Sequence, residues 1–140
     1  MMTELKVKRL HADAKLPTRR FPLDAGLDLY ALGTVTAWNN HVTIRTGIAV
    51  EIPPGCVGLI MGKSGLASGL GVDVLGGVID SGYTGEVGVV LSFPDYGMTI
   101  NAGDAIAQLV IQKVELPSVV EVDDLAATER GDDGLGRRRA

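Results

Sequence analysis

The sequence is poor in the residues that build covalent or metal frameworks. Its 140 residues include one cysteine, Cys56, and two histidines, His11 and His41. One thiol cannot close an internal disulfide or supply a cysteine-cluster zinc site. With two histidines as the other soft ligands, a protein-held transition metal is not expected. Aromatic residues make up only 4%, so the core must be drawn from Val, Ile, Leu and Ala. Basic residues are in the minority: 13 Lys and Arg against 17 Asp and Glu, a net charge of −4. That balance excludes a nucleic-acid binder working through a broad basic surface, yet leaves room for a local basic pocket for one small anion. No apolar run approaches membrane-spanning length. The opening residues, Met1 to Arg9, carry charge and lack the apolar stretch of a signal peptide. The expectation is a soluble, cytoplasmic protein with neither a nucleic-acid nor a membrane partner.

What is present points to β structure. The chain is 46% hydrophobic, with 19 Gly and 6 Pro, a mix suited to many short strands joined by tight turns. Alternating stretches are expected as strands at Leu5–Leu10, Asp24–Ala31, Thr34–Ile44, Ile48–Ile52, Cys56–Met61, Val87–Leu91, Met98–Ala102, Ala105–Ile111 and Val114–Val122. Turns are expected at Arg45-Thr46-Gly47, Pro53-Pro54-Gly55, Phe93–Gly97 and Gly103-Asp104. Asp123–Arg130 is polar and long enough for one helical turn, and the glycine- and arginine-rich end from Gly131 should be mobile by composition. With roughly ten short strands and no repeat or long amphipathic helix, a jelly-roll-like or distorted barrel is the natural packing.

The most informative stretch runs from Leu75 to Leu91. Apolar residues lead to one acid, Asp80, then to a lone Tyr83 among glycines, and the chain returns through Val87 to Leu91. This reads as a hairpin whose glycines, Gly76 and Gly77, let a flat ligand approach the main chain. The plain alternative is a turn with a solvated Asp and a half-buried Tyr. Gly62-Lys63-Ser64-Gly65 looks like the end of a phosphate-binding P-loop, but Val57 stands where that motif needs its first glycine, and a long helix does not follow. The P-loop is rejected. A lysine, a hydroxyl and backbone N–H groups in one glycine-rich turn can still hold phosphate oxygens. Asp28, between Leu27 and Leu29, needs a partner or a cation if it faces inward, and nothing if it faces out. Gln108, in a dense apolar strand, is either a core linker or an amide aimed at a ligand.

Five blocks taken in order, Asp24–Ala31, Gly62–Ala67, Gly77–Tyr83, Gly103–Leu109 and Arg130–Gly136, resemble the trimeric deoxyuridine triphosphatases. The resemblance extends from Leu5 to Gly136. It implies a distorted jelly-roll β-barrel of the β-clip type over residues 1–124, with residues 125–140 as an arm closing the active site of a neighbouring subunit. It implies a homotrimer, a Mg²⁺ requirement, and hydrolysis of dUTP to dUMP and pyrophosphate, which keeps uracil out of DNA and supplies dUMP for dTMP synthesis. Asp80 then matches the catalytic acid that orients the attacking water. Tyr83 matches the ring packed on deoxyribose. The backbone of Gly77, Val78 and Ile79, with the Gly88 region, would read the uracil edge. Lys63, Ser64 and Gly65 would grip phosphates, Gln108 would lie near them, and Arg130 would bind the γ-phosphate. Leu135 and Gly136 would cover the base. Asp28 would reach Mg²⁺ only through a bound water, the ion itself resting on phosphates and waters.

The chain departs from the family pattern at several points. Lys63 replaces an arginine, keeping charge but losing the bidentate fork. Leu135 replaces an aromatic that stacks on uracil, a contact of ~1–3 kcal/mol by analogy with base–aromatic stacking. Arg137-Arg138-Arg139 replaces the usual small residues, and Val74 stands where some members have Asn. Two other readings compete: a nucleotide-sensing regulatory homologue acting through a protein partner, and a dCTP deaminase of the same fold. The deaminase would need an acid–base set for ring hydration that is not seen near Asp80.

Overall fold

The computed structural model describes residues 4–136. Ten strands and one short helix follow in chain order among them: β1 (Lys6–Arg9), β2 (Leu27–Tyr30), β3 (Val35–Ala37), β4 (His41–Glu51), β5 (Cys56–Met61), α1 (Ser64–Leu70), β6 (Asp73–Leu75), β7 (Val78–Ile79), β8 (Glu86–Ser92), β9 (Met98–Ile100) and β10 (Ala105–Lys113). They form two four-stranded sheets, ordered β1-β4-β8-β6 and β2-β10-β5-β7, and a two-stranded sheet β3-β9. Every strand pairing is antiparallel. This is the expected jelly-roll-like β fold of the β-clip type. No helix among the described residues is long and apolar enough to cross a membrane.

Strand β8 shows how the sequence makes the core and the site together. Val87, Val89 and Leu91 point inward and are fully buried, while Glu86, Gly88, Val90 and Ser92 alternate outward. The same core takes Leu29, Ile44, Ile48, Ile52, Ile106 and Leu109, aliphatic as the scarcity of aromatics required. Each such side chain contributes ~1.5–3 kcal/mol by leaving water.

Several expectations are corrected. Arg45-Thr46-Gly47 is not a turn but an irregularity inside the continuous strand β4, where the register against β8 slips between Arg45↔Gly88 and Ala49↔Glu86. The buried Thr46 hydroxyl donates to the Val87 carbonyl at 2.5 Å, replacing a ladder bond lost at the slip. Gly62-Lys63-Ser64-Gly65 is not wholly a turn, because α1 starts at Ser64. Val114–Val122 forms no strand, and Asp123–Arg130 no helical turn. Most consequentially, Leu75 to Leu91 is not one hairpin. β6 pairs with β8 in one sheet, whereas β7 pairs with β5 in the other. Gly76 and Gly77, both with positive φ, carry the chain across. The open face of Gly77 is filled by this chain's own Ile60 carbonyl. Arg137 to Arg139 lie outside the described residues.

Candidate active site

The crossing from β6 to β7 and the turn into β8 create a cleft of about 240 Å³ lined by Val78, Ile79, Asp80, Tyr83, Glu86 and Gly88. Five of the residues singled out from the sequence therefore meet in one place. Strand β7 is the edge of its sheet, held on one side by Gly58↔Ile79 and Leu59↔Val78. An edge strand leaves main-chain groups for a ligand to pair with. Asp80 is exposed, and its carbonyl accepts the Tyr83 N–H at 3.0 Å, closing the turn that follows β7. The Tyr83 hydroxyl donates to the Glu86 carbonyl at 2.7 Å. Gly77, the remaining member of this group, gives its carbonyl to the Ile60 N–H at 2.7 Å, so that oxygen serves the fold.

Glu86 was not anticipated. Alternation along β8 could have found it, since residues 86 and 88 must share a face. Its carboxylate accepts from Arg45 Nη2 at 2.9 Å and Nε at 3.1 Å, and from the Gly47 N–H at 3.2 Å. The Arg45 hydrogen bond, aided by the Gly47 N–H and by the Arg45 and His11 charges, holds the Glu86 carboxyl below its ordinary value against the opposing effect of burial. A carboxyl depressed in the folded state adds stability that is present above its unfolded value, about 4.3, and is lost as pH falls through the lower folded value. Glu86→Gln should therefore lower Tm by a few degrees at pH 7, and the gap should start to narrow near the unfolded value of about 4.3 and close only below the lower folded value. A Tm gap constant across pH 3–7 would assign the loss to something other than the charge.

A second cluster lies across β2, β10 and β5, where Asp28 pairs with Gln108 and Gln108 with Met61. Alternation along β2 sets Asp28 on the face opposite the core residue Leu29, and there it is paired all the same: Lys63 Nζ lies 2.5 Å from its Oδ1, with both side chains partly buried. Gln108 Nε2 donates to the Gly62 carbonyl at 2.9 Å, fixing the entry to α1. Ser64 and Gly65 open that helix and are exposed. Along β5, Gly58 faces Ile79 and Met61 faces Gln108. Standard strand rise and spacing then put Ile79 and Gln108 at roughly 14 Å, so the cluster is a second locus and not a wall of the Asp80 cleft.

The third group sits on the C-terminal segment. Arg130 Nε donates to the Asp133 carbonyl at 2.8 Å, and the Gly131 N–H to Thr128 Oγ1 at 3.0 Å, forming a local turn. Leu135 is fully exposed, and Gly136 follows it. These residues are not brought to the Asp80 cleft within one chain.

The fold is nearly all β, with an acid–tyrosine cleft on an exposed sheet edge and a lysine–carboxylate–amide cluster apart from it. The dUTPase family model matches residues 12–138, and the chain belongs to that family. It is 45% identical to the deoxyuridine 5'-triphosphate nucleotidohydrolase of Mycolicibacterium gilvum over 146 aligned positions, covering 97% of this chain and 95% of the relative. The protein of that name from Arabidopsis thaliana is 44% identical over 133 positions, covering 94% and 80%. Among solved structures, the G164S mutant of the Staphylococcus bacteriophage 80alpha dUTPase with dUpNHpp aligns at a TM-score of 0.90 and 28% identity, over 96% of this chain and 98% of that one. The D95N mutant of the dUTPase of S. aureus phage phi11, whose structure describes the coordination of a structural Mg(II) ion, aligns at 0.81 and 29% identity, over 86% and 97%.

Proposed function

We propose that this chain hydrolyses dUTP to dUMP and pyrophosphate, as the names of its relatives indicate for them. The observation that carries the reading is the cleft that joins Asp80, Tyr83, the β7 edge and Gly88. Uracil pairs with main-chain groups of Val78 and Ile79 and with the Gly88 region. A donor–acceptor pattern that suits uracil mismatches cytosine, whose pattern is exchanged. Tyr83 packs on the sugar, where a 2′-hydroxyl would collide. Asp80 orients a water in line with the α-phosphate and takes its proton as the new P–O bond forms. The bond to the bridging oxygen breaks, and pyrophosphate leaves.

The phosphates fall to Lys63, Ser64, Gly65 and Gln108. Among the described residues no three His, Cys, Asp or Glu side chains group to hold a metal. One carboxylate, Asp28, beside an amide fits an ion that keeps its waters and rests on phosphates, so Asp28 would hold Mg²⁺ through a water. The ion would neutralise phosphate charge. Lys63 supplies a point charge to the same oxygens and leaves Asp28 to do so.

The complete site is built from more than one copy in a homotrimer. Two features support this: the separation of the two clusters, and the exposed apolar side chains Leu116, Val119, Val120 and Leu125 beyond β10. Residues 125–140 then form an arm that brings Arg130 to the γ-phosphate and Leu135 and Gly136 over the base of a neighbouring site. The trimer would act in the cytoplasm. The test is phosphate release from dUTP, dCTP, dTTP and UTP, coupled through a pyrophosphatase, with light scattering alongside. Hydrolysis of dUTP alone by a trimer, with kcat/KM reduced at least tenfold by truncation after Thr128, is expected; that truncation reports on the water-shielding closure. Binding of dUTP without turnover would favour the regulatory reading.

A further inference from the structure

Tyr83 is nearly half exposed, so packing alone does not fix its ring. Two hydrogen bonds within its own turn do so: its N–H to the Asp80 carbonyl and its hydroxyl to the Glu86 carbonyl. The ring is folded back over Gly85, where a Cβ would stand 2.7 Å from the hydroxyl oxygen. Its direction therefore depends on where the residue 86 carbonyl lies. Glu86 is the first residue of β8 and meets β4 only beyond the register slip, so the ordinary ladder holds it weakly. Its side chain supplies what the ladder lacks, through the two Arg45 nitrogens and the Gly47 N–H. The planar guanidinium fixes angle as well as distance, which a lone ammonium would not.

We propose that Arg45 and Glu86 are a positioning pair for Tyr83, and that through the Glu86 carbonyl they set the ring that selects deoxyribose over ribose. The inference rests on the uridine-nucleotide reading of this cleft and extends it to a residue, Arg45, that does not line the cleft. A pair that merely stapled β4 to β8 would alter stability and leave substrate choice alone.

The experiment compares kcat/KM for dUTP and UTP in wild type, Arg45→Gln, Arg45→Lys and Tyr83→Phe. Arg45→Gln should narrow the dUTP-over-UTP preference about three- to tenfold, the scale of one hydrogen bond, mainly through KM. Arg45→Lys should fall between. In a Tyr83→Phe background the same change should have no further effect on the ratio, because the hydroxyl through which it acts is gone. A lowered Tm with an unchanged preference, or equal effects in both backgrounds, would overturn the proposal. Should Arg45→Gln not fold, Glu86→Gln carries the same comparison. If wild type turns over neither nucleotide, calorimetric binding of dUpNHpp and its ribonucleotide counterpart reads the same ratio. Binding of neither to wild type would overturn the nucleotide reading itself, and this inference with it.

Discussion

Asp80→Asn is expected to lower kcat for dUTP by about 10²–10⁴-fold, the span ordinarily lost with a positioned general base, while the fold and nucleotide binding persist. The expectation follows from how little else Asp80 does. Its side chain is exposed in the cleft, and its structural contribution is the backbone carbonyl that closes the turn to Tyr83. Asparagine keeps that carbonyl, the size of the side chain and an oxygen able to accept from a sugar hydroxyl. It loses the negative charge that can take a proton from water. The loss should therefore appear in kcat with KM little changed, the pattern of an interaction made only in the transition state. Single-turnover kinetics, thermal melting and calorimetric binding of dUpNHpp would separate the three quantities. A folded Asp80→Asn protein with near-wild-type turnover would mean the base lies elsewhere, with Glu86 the other carboxylate in the cleft.

Local pattern revealed the strands and failed at their partners. Val87, Val89 and Leu91 announce β8 by alternation, and the same alternation places Gly88 on the open face. Nothing local says that β7 leaves its sequence neighbour β8 and pairs with β5, because that choice is made by contacts distant in sequence. Arg45-Thr46-Gly47 has the composition of a turn, yet the flanking strand runs through it, since the Thr46 hydroxyl and the Glu86 carboxylate satisfy the backbone where the ladder slips. The Glu86 contact spans 41 residues from Arg45, beyond the reach of any window. Val114–Val122 carries β-branched residues but lacks a partner strand within the described chain, so propensity alone did not make it a strand. Asp28 is the converse case. Alternation turns it away from Leu27 and Leu29, where an acid was expected to need nothing, yet a lysine 35 residues away in sequence pairs with it.

Gly77→Ala should be strongly damaging for a single added methyl, destabilising the protein by about 2–4 kcal/mol, or on the order of ten degrees in Tm. Gly77 has φ +114, a conformation L side chains rarely adopt. Its missing Cβ would lie 2.5 Å from the Ile60 carbonyl oxygen, a backbone atom that cannot rotate aside. Relieving the overlap means pulling β7 away from β5 and breaking the 2.7 Å bond from the Ile60 N–H to the Gly77 carbonyl, next to a core side chain that is 5% exposed. Gly76 is the internal control. Its φ of +68 is also positive, but nothing lies within 4 Å of where its Cβ would stand. Gly76→Ala should thus cost only the left-handed strain, ~1–2 kcal/mol. Thermal melts of the two variants side by side test the argument, and equal losses would show that backbone strain, not the approach to Ile60, sets the cost. Because β7 leads directly into Asp80, Gly77→Ala should also reduce kcat/KM for dUTP at temperatures where it is still folded, whereas Gly76→Ala should retain more activity. The acid and the tyrosine are held in place by a strand of two residues, and that strand is anchored where a glycine lets one backbone lie against another.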